Sequence, residues 1–99
     1  EFVDAMNRFE PSATKSGIAL NSWLGGKIIV DALQRAGRDL TRESLVAALN
    51  ATKNLDMGDL MPPVTLSPDD HVASSCIQLA TVEGGEFRKS SDFFCAGTN

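Results

Sequence analysis

The chain has 99 residues, enough for one domain with a modest core, and its 42% hydrophobic and 22% charged content is that of a folded protein. A net charge of -4, with nine Lys and Arg scattered along the chain, excludes the clustered positive face that nucleic acid or anionic lipid requires. No apolar run approaches the ~18 to 20 residues of a membrane span, and the N-terminus lacks the basic, apolar and small-residue order of a signal peptide, so an exported form would have lost its leader.

The first element is "FVDAMNRF", with Phe2, Met6 and Phe9 on one helical face and Val3 beside them. A helix that starts with neither Met nor a cap suggests a truncated chain. Pro11 ends it, because the residue before proline avoids helical geometry, and "PSATKSG" reads as a loop. The spacing then predicts a long helix over Ala19–Ala36, with Lys27, Asp31, Gln34 and Arg35 to solvent and Ile29, Ala32, Leu33 and Ala36 buried. Gly25 and Gly26 lie toward that buried side, where close approach of another element would offset their helix cost of up to about 1 kcal/mol each. Gly37 suits the helix end, followed by Thr41 as N-cap of a further helix over about residues 42 to 51.

"LDMGDLMPP" is a loop and "VTLS" a short strand, followed by a turn at "SPDDH". In "CIQLATVEGGEFRK" the alternating residues around Gly84-Gly85 predict a β-hairpin with a two-residue turn. The fold class is thus α+β: about three helices, a short strand and a hairpin. Cys76 and Cys95 flank the hairpin, and a disulfide between them would contribute roughly 3 kcal/mol by loop closure. Two buried free thiols are the alternative; a metal site would need ligands beyond His71.

Catalysis finds no support in the remaining candidates. His71 lies in a polar turn, and Asp56, Asp59, Asp69 and Asp70 lack the spacing of a calcium loop. Ser74, Ser75, Ser90 and Ser91 have no adjacent base, and neither a nucleophile elbow nor a phosphate-binding loop occurs. The expectation is a non-enzyme with no cofactor and no metal. Trp23 fits a core position better than a pocket wall.

In order, "FVDAMNRFEP", "GIALNSWLGGKIIVDALQRAGRDLTRESLVAALN", "PPVTLSPDDH" and "CIQLATVEGGEFRK" resemble the C-terminal part of the branched-chain amino acid type of ABC transporter solute-binding protein. The resemblance implies a type I periplasmic binding protein, whose two α/β lobes close on a small ligand and are read by a membrane permease. It assigns residues 1–66 to the first lobe, 67–75 to a hinge crossing and 76–99 to the second lobe. Of this chain only the loop before the long helix would reach the cleft: Ile18 falls where an apolar or aromatic ligand neighbour occurs in the family and Asn21 lies a turn away, while the main ligand clamps would lie upstream of Glu1. A fragment without those clamps is expected not to bind ligand alone. Periplasm or cell surface is the implied location, which suits a disulfide. Lacking the second lobe's sheet, the hairpin would fold back on the helices or pair by its edge with a second copy. An autonomous secreted interaction domain stapled by its disulfide, or a sensor ectodomain of the same fold, are the rival readings.

Overall fold

The computed structural model describes residues 1–97; the last two residues of the segment 76–99 lie outside the described residues. The chain divides into two compact units, Glu1–Leu49 and a second beginning at Asn50. This division reflects packing within the chain and is separate from the lobe boundary expected after residue 66.

The first unit holds α1 (Phe2–Phe9), α2 (Gly17–Ala36) and α3 (Arg42–Asn50), whose last residue opens the second unit. Glu1 stands at the N-cap of α1, and its ammonium group lies 3.4 Å from Asp4 Oδ2. α2 starts two residues earlier than its apolar pattern indicates, because Ser16 takes the cap position and its Oγ accepts from the Ala19 N–H. It ends at Gly37, which adopts φ +80°, a conformation that costs a residue without Cβ little. At α3, Thr41 Oγ1 accepts from the Ser44 N–H while Ser44 Oγ accepts from the Thr41 N–H, a reciprocal cap that satisfies two backbone donors.

The face that α2 buries overlaps the expected one only in part. Phe2 of α1 packs edge-on against Trp23 with ring centroids 5.9 Å apart, and Lys27 Nζ reaches Glu1 Oε2 at 2.8 Å. On the same side Arg35 bonds Asp31 through Nε at 2.9 Å and donates from Nη1 to the Ala48 carbonyl at 2.6 Å. That carbonyl lies in the last turn of α3, where carbonyls lack helical partners and the dipole favours a cation. Lys27 and Asp31 are therefore half-buried, whereas Ile29 and Leu33 are exposed; Ala32 alone of the expected apolar set is fully buried. The close approach expected at Gly25 and Gly26 is absent too: nothing lies within 4 Å of a Cβ built on either residue. Phe9, at the end of α1, is likewise exposed, with Arg8 stacked 5.1 Å from its ring centre.

In the second unit the core consists of Met57, Val64 and Thr52, each almost wholly buried. The strand expected at "VTLS" is reduced to isolated bridges at its two ends: Leu55 and Val64 exchange backbone bonds of 2.8 and 2.9 Å, and Ser67 pairs with Asp70 across the turn. Pro62 and Pro63 supply no N–H to extend the ladder on one side. On the other side Asn54 adopts φ +48° and its N–H bonds the Thr65 hydroxyl, so the Leu66 N–H shifts to the Thr52 carbonyl and the pairing slips.

The hairpin forms as its alternation indicates. β2 (Ala80–Glu83) pairs antiparallel with β3 (Glu86–Lys89) around Gly84 and Gly85, which take φ +59° and +82° as a two-residue turn of this hand requires. Below it β1 (Cys76–Ile77) pairs with β4 (Phe94–Cys95). Between the two ladders the returning strand carries two more residues than its partner, and Ser91 bridges the gap. Its Oγ accepts from the Leu79 N–H at 3.0 Å and donates to the Asp92 carbonyl at 2.8 Å. Cys76 and Cys95 are directly opposite, with Cα atoms 3.9 Å apart, and are joined by a disulfide. Every residue of β2 and β3 is exposed.

Two outcomes follow from this packing. Gly26→Ala should raise the chain's stability by about 0.5 to 1 kcal/mol in urea unfolding, since the helix gains a better former and nothing is displaced; a decrease would mean that another element approaches this face. Replacing both cysteines with serine should remove exchange protection from the amides of β2 and β3, because the covalent loop that contributes roughly 3 kcal/mol is gone, while α2 keeps its protection.

Candidate functional site

Ile18 and Asn21 occupy the first turn of α2, three residues apart and hence on neighbouring positions of one helical face. Both are exposed, Ile18 with 81% of its surface free. The turn beneath them is held by Ser16 as cap and by Ser22, whose hydroxyl donates to the Ile18 carbonyl at 3.1 Å. An sec-butyl group beside a carboxamide offers an apolar contact and a donor-acceptor pair. Neither group titrates, so the pair can bind but cannot move a proton. The same face continues along α2 through Gly25, Ile29 and Leu33, all exposed.

The other chemistry-bearing side chains hold local structure. His71 Nε2 lies 3.0 Å from Asn50 Oδ1, joining the end of α3 to the "SPDDH" turn. Asp56 accepts from the Gly58 N–H at 2.8 Å and Asp70 from the Val72 N–H at 2.9 Å, so these carboxylates shape loops. Ser74 Oγ accepts from the Cys76 N–H and Ser75 Oγ donates to the Ala96 carbonyl, which fastens the base of the hairpin around the disulfide. Among the described residues no group of three or more His, Cys, Asp or Glu could hold a metal ion. Trp23 packs as a core residue against Phe2; its Nε1 is shielded from solvent and meets no acceptor among the described residues.

Sequence reasoning joined the two cysteines but set Ile18 in the loop before the long helix, whereas the structure places it within α2. It missed the exposed α2 face, although the recurrence of Ile18, Gly25, Ile29 and Leu33 marks one side of the helix. Of the apolar set expected inside, Ala32 is buried and Ala36 half-buried, while Ile29 and Leu33 are exposed. The bridging role of Ser91 also went unread, since an offset between two ladders leaves no residue signature.

The family model described as periplasmic binding protein matches residues 1–86, which include all three helices, β2 and the first residue of β3. The chain belongs to the periplasmic binding protein family. No curated protein and no solved structure matches it. Membership supports a solute-binding role in general, toward a small molecule, in a family that is exported and in general non-enzymatic. The disulfide agrees with an oxidising compartment.

Because both side chains are exposed, Ile18→Ala and Asn21→Ala should each leave the midpoint of urea unfolding within about 0.5 kcal/mol of the parent chain. A larger loss would assign them to packing and remove them from the candidate site.

Proposed function

We propose that this chain is the C-terminal part of the substrate-binding component of an ABC transporter for amino acids of the leucine, isoleucine and valine type or related small molecules. The observation that carries the reading is the family match over residues 1–86. The order of the "GIALNSWLGGKIIVDALQRAG", "TRESLVAAL" and "VEGGEF" segments supports the branched-chain type. In this reading residues 1–66 belong to the first lobe, 67–75 form the last crossing between lobes and 76–99 belong to the second. Ile18 and Asn21 border the cleft, Ile18 as an apolar neighbour of the ligand side chain and Asn21 as a polar group at its rim.

The mechanism is a population shift. Ligand held between lobes makes contacts that exist in the closed form alone, so it stabilises closure in proportion to that differential affinity. A membrane permease then distinguishes the closed from the open form, and no covalent chemistry occurs. The periplasm or cell surface is the setting, reached with a signal peptide in the precursor. The partners are the small-molecule ligand, the permease and, for the 99-residue chain by itself, a second copy through the hairpin edge.

Calorimetric titration with the common amino acids tests this. A protein carrying both lobes should bind leucine, isoleucine or valine saturably, and the 99-residue chain alone should not. Ile18→Asp in the two-lobed protein should weaken binding about tenfold, the equivalent of ~1.4 kcal/mol. Saturable binding by the chain alone would overturn the placement of the cleft, and unchanged affinity in Ile18→Asp would remove that residue from it.

A further inference from the structure

The hairpin has two outer edges, and they differ in chemistry. Ser90 N–H bonds the Leu79 carbonyl at 3.0 Å, and bonded pairs alternate with non-bonded pairs along an antiparallel ladder. Counting from there through Ala80↔Lys89, Thr81↔Arg88, Val82↔Phe87 and Glu83↔Glu86, Phe87 and Lys89 turn their N–H and C=O groups away from β2. Phe87 also leaves 84% of its surface open. The edge strand "EFRK" carries charges of both signs around that ring, whereas β2, "ATVE", carries a single carboxylate.

We propose that the free edge of β3 pairs antiparallel with β3 of a second copy of this chain, Phe87 opposite Phe87, joining two hairpins into one four-stranded sheet across a two-fold axis. Such an axis leaves every side chain on its own face, so a residue stands opposite itself or opposite a residue an even number of places away. Centring the pair on Glu86 would set carboxylate against carboxylate, and centring it on Arg88 would set guanidinium against guanidinium; like charges directly opposite are destabilising. Centring it on Phe87 places Glu86 opposite Arg88 of the second copy twice over and lets the outward N–H and C=O of Phe87 bond their counterparts. Arg88, already 3.6 Å from Glu83 and 3.9 Å from Glu86 of its own hairpin, has donors enough for a further carboxylate. The disulfide keeps the hairpin formed in the single chain, so association does not have to order it. The inference specifies the second-copy contact named above and is independent of the ligand and the permease.

Sedimentation equilibrium of the 99-residue chain from micromolar to millimolar concentration, paired with amide exchange, tests it. The expected result is a monomer-dimer equilibrium in which the Phe87 amide gains protection as concentration rises and the Val82 amide does not. Glu86→Arg places an opposite charge across from Glu83, so the hairpin is retained, yet it sets Arg against Arg in the pair and should weaken association about tenfold. Adding Arg88→Glu to that variant reverses both charges and should restore the parent affinity. A chain that stays monomeric throughout, a dimer indifferent to Glu86→Arg, or protection that appears at Val82 would each overturn the proposal. None of these outcomes depends on whether an amino acid binds.

Discussion

A helix can present one stripe to its neighbours, and the first unit is organised by which stripe α2 presents. The side carrying Trp23, Lys27, Asp31 and Arg35 meets Phe2, Glu1 and the end of α3. Those contacts join one aromatic pair to ion pairs and a capped carbonyl. An ion pair with partial exposure contributes little by itself, so the hydrogen bond from Arg35 to Ala48 gains its importance from geometry: it fixes the last turn of α3 against α2 and satisfies a carbonyl that the helix cannot. The cost of this arrangement is that Ile18, Ile29 and Leu33 remain in water.

The second unit meets the opposite problem, too little side-chain burial to hold a long hairpin. Two strands with both faces exposed are marginal in water, and neither β2 nor β3 buries a residue. Covalent closure at Cys76 and Cys95 and the hydroxyls of Ser74, Ser75 and Ser91 replace the missing packing. Their action is local: each hydroxyl satisfies a backbone group where the ladder is interrupted or ends. Met57 and Val64 form a separate small core, held by the bridge from Leu55 to Val64.

Much of this was legible in the sequence because it rests on local chemistry. Thr41, Gly37 and the Gly84-Gly85 turn act through backbone conformation within a few residues, and all three appear where their types indicate. The cysteine pair was legible by position around the hairpin. What escaped was the partner of each apolar face. The wheel of α2 identified its two sides, but the side that packs depends on Phe2 and Ala48, distant in sequence, and no periodicity encodes them. The same limit reduced "VTLS" to isolated bridges, since Asn54 in a left-handed conformation sets a slip that its neighbours alone do not announce. For the candidate site, the sequence put Ile18 in the loop before a helix starting at Ala19, whereas Ser16 caps the helix earlier and carries Ile18 into it with Asn21; their role depends on a ligand and a second lobe.

The disulfide has a further consequence when the hairpin is viewed as a path for force. Cys76 and Cys95 face each other at the base of the hairpin, with Cα atoms 3.9 Å apart. Tension entering through the chain before Cys76 and leaving after Cys95 crosses by the sulfur atoms and bypasses every residue between them. The hairpin tip is therefore mechanically silent: with its two ends held together by the sulfur atoms, it can pair, fray or exchange partners without separating the chain on either side of it.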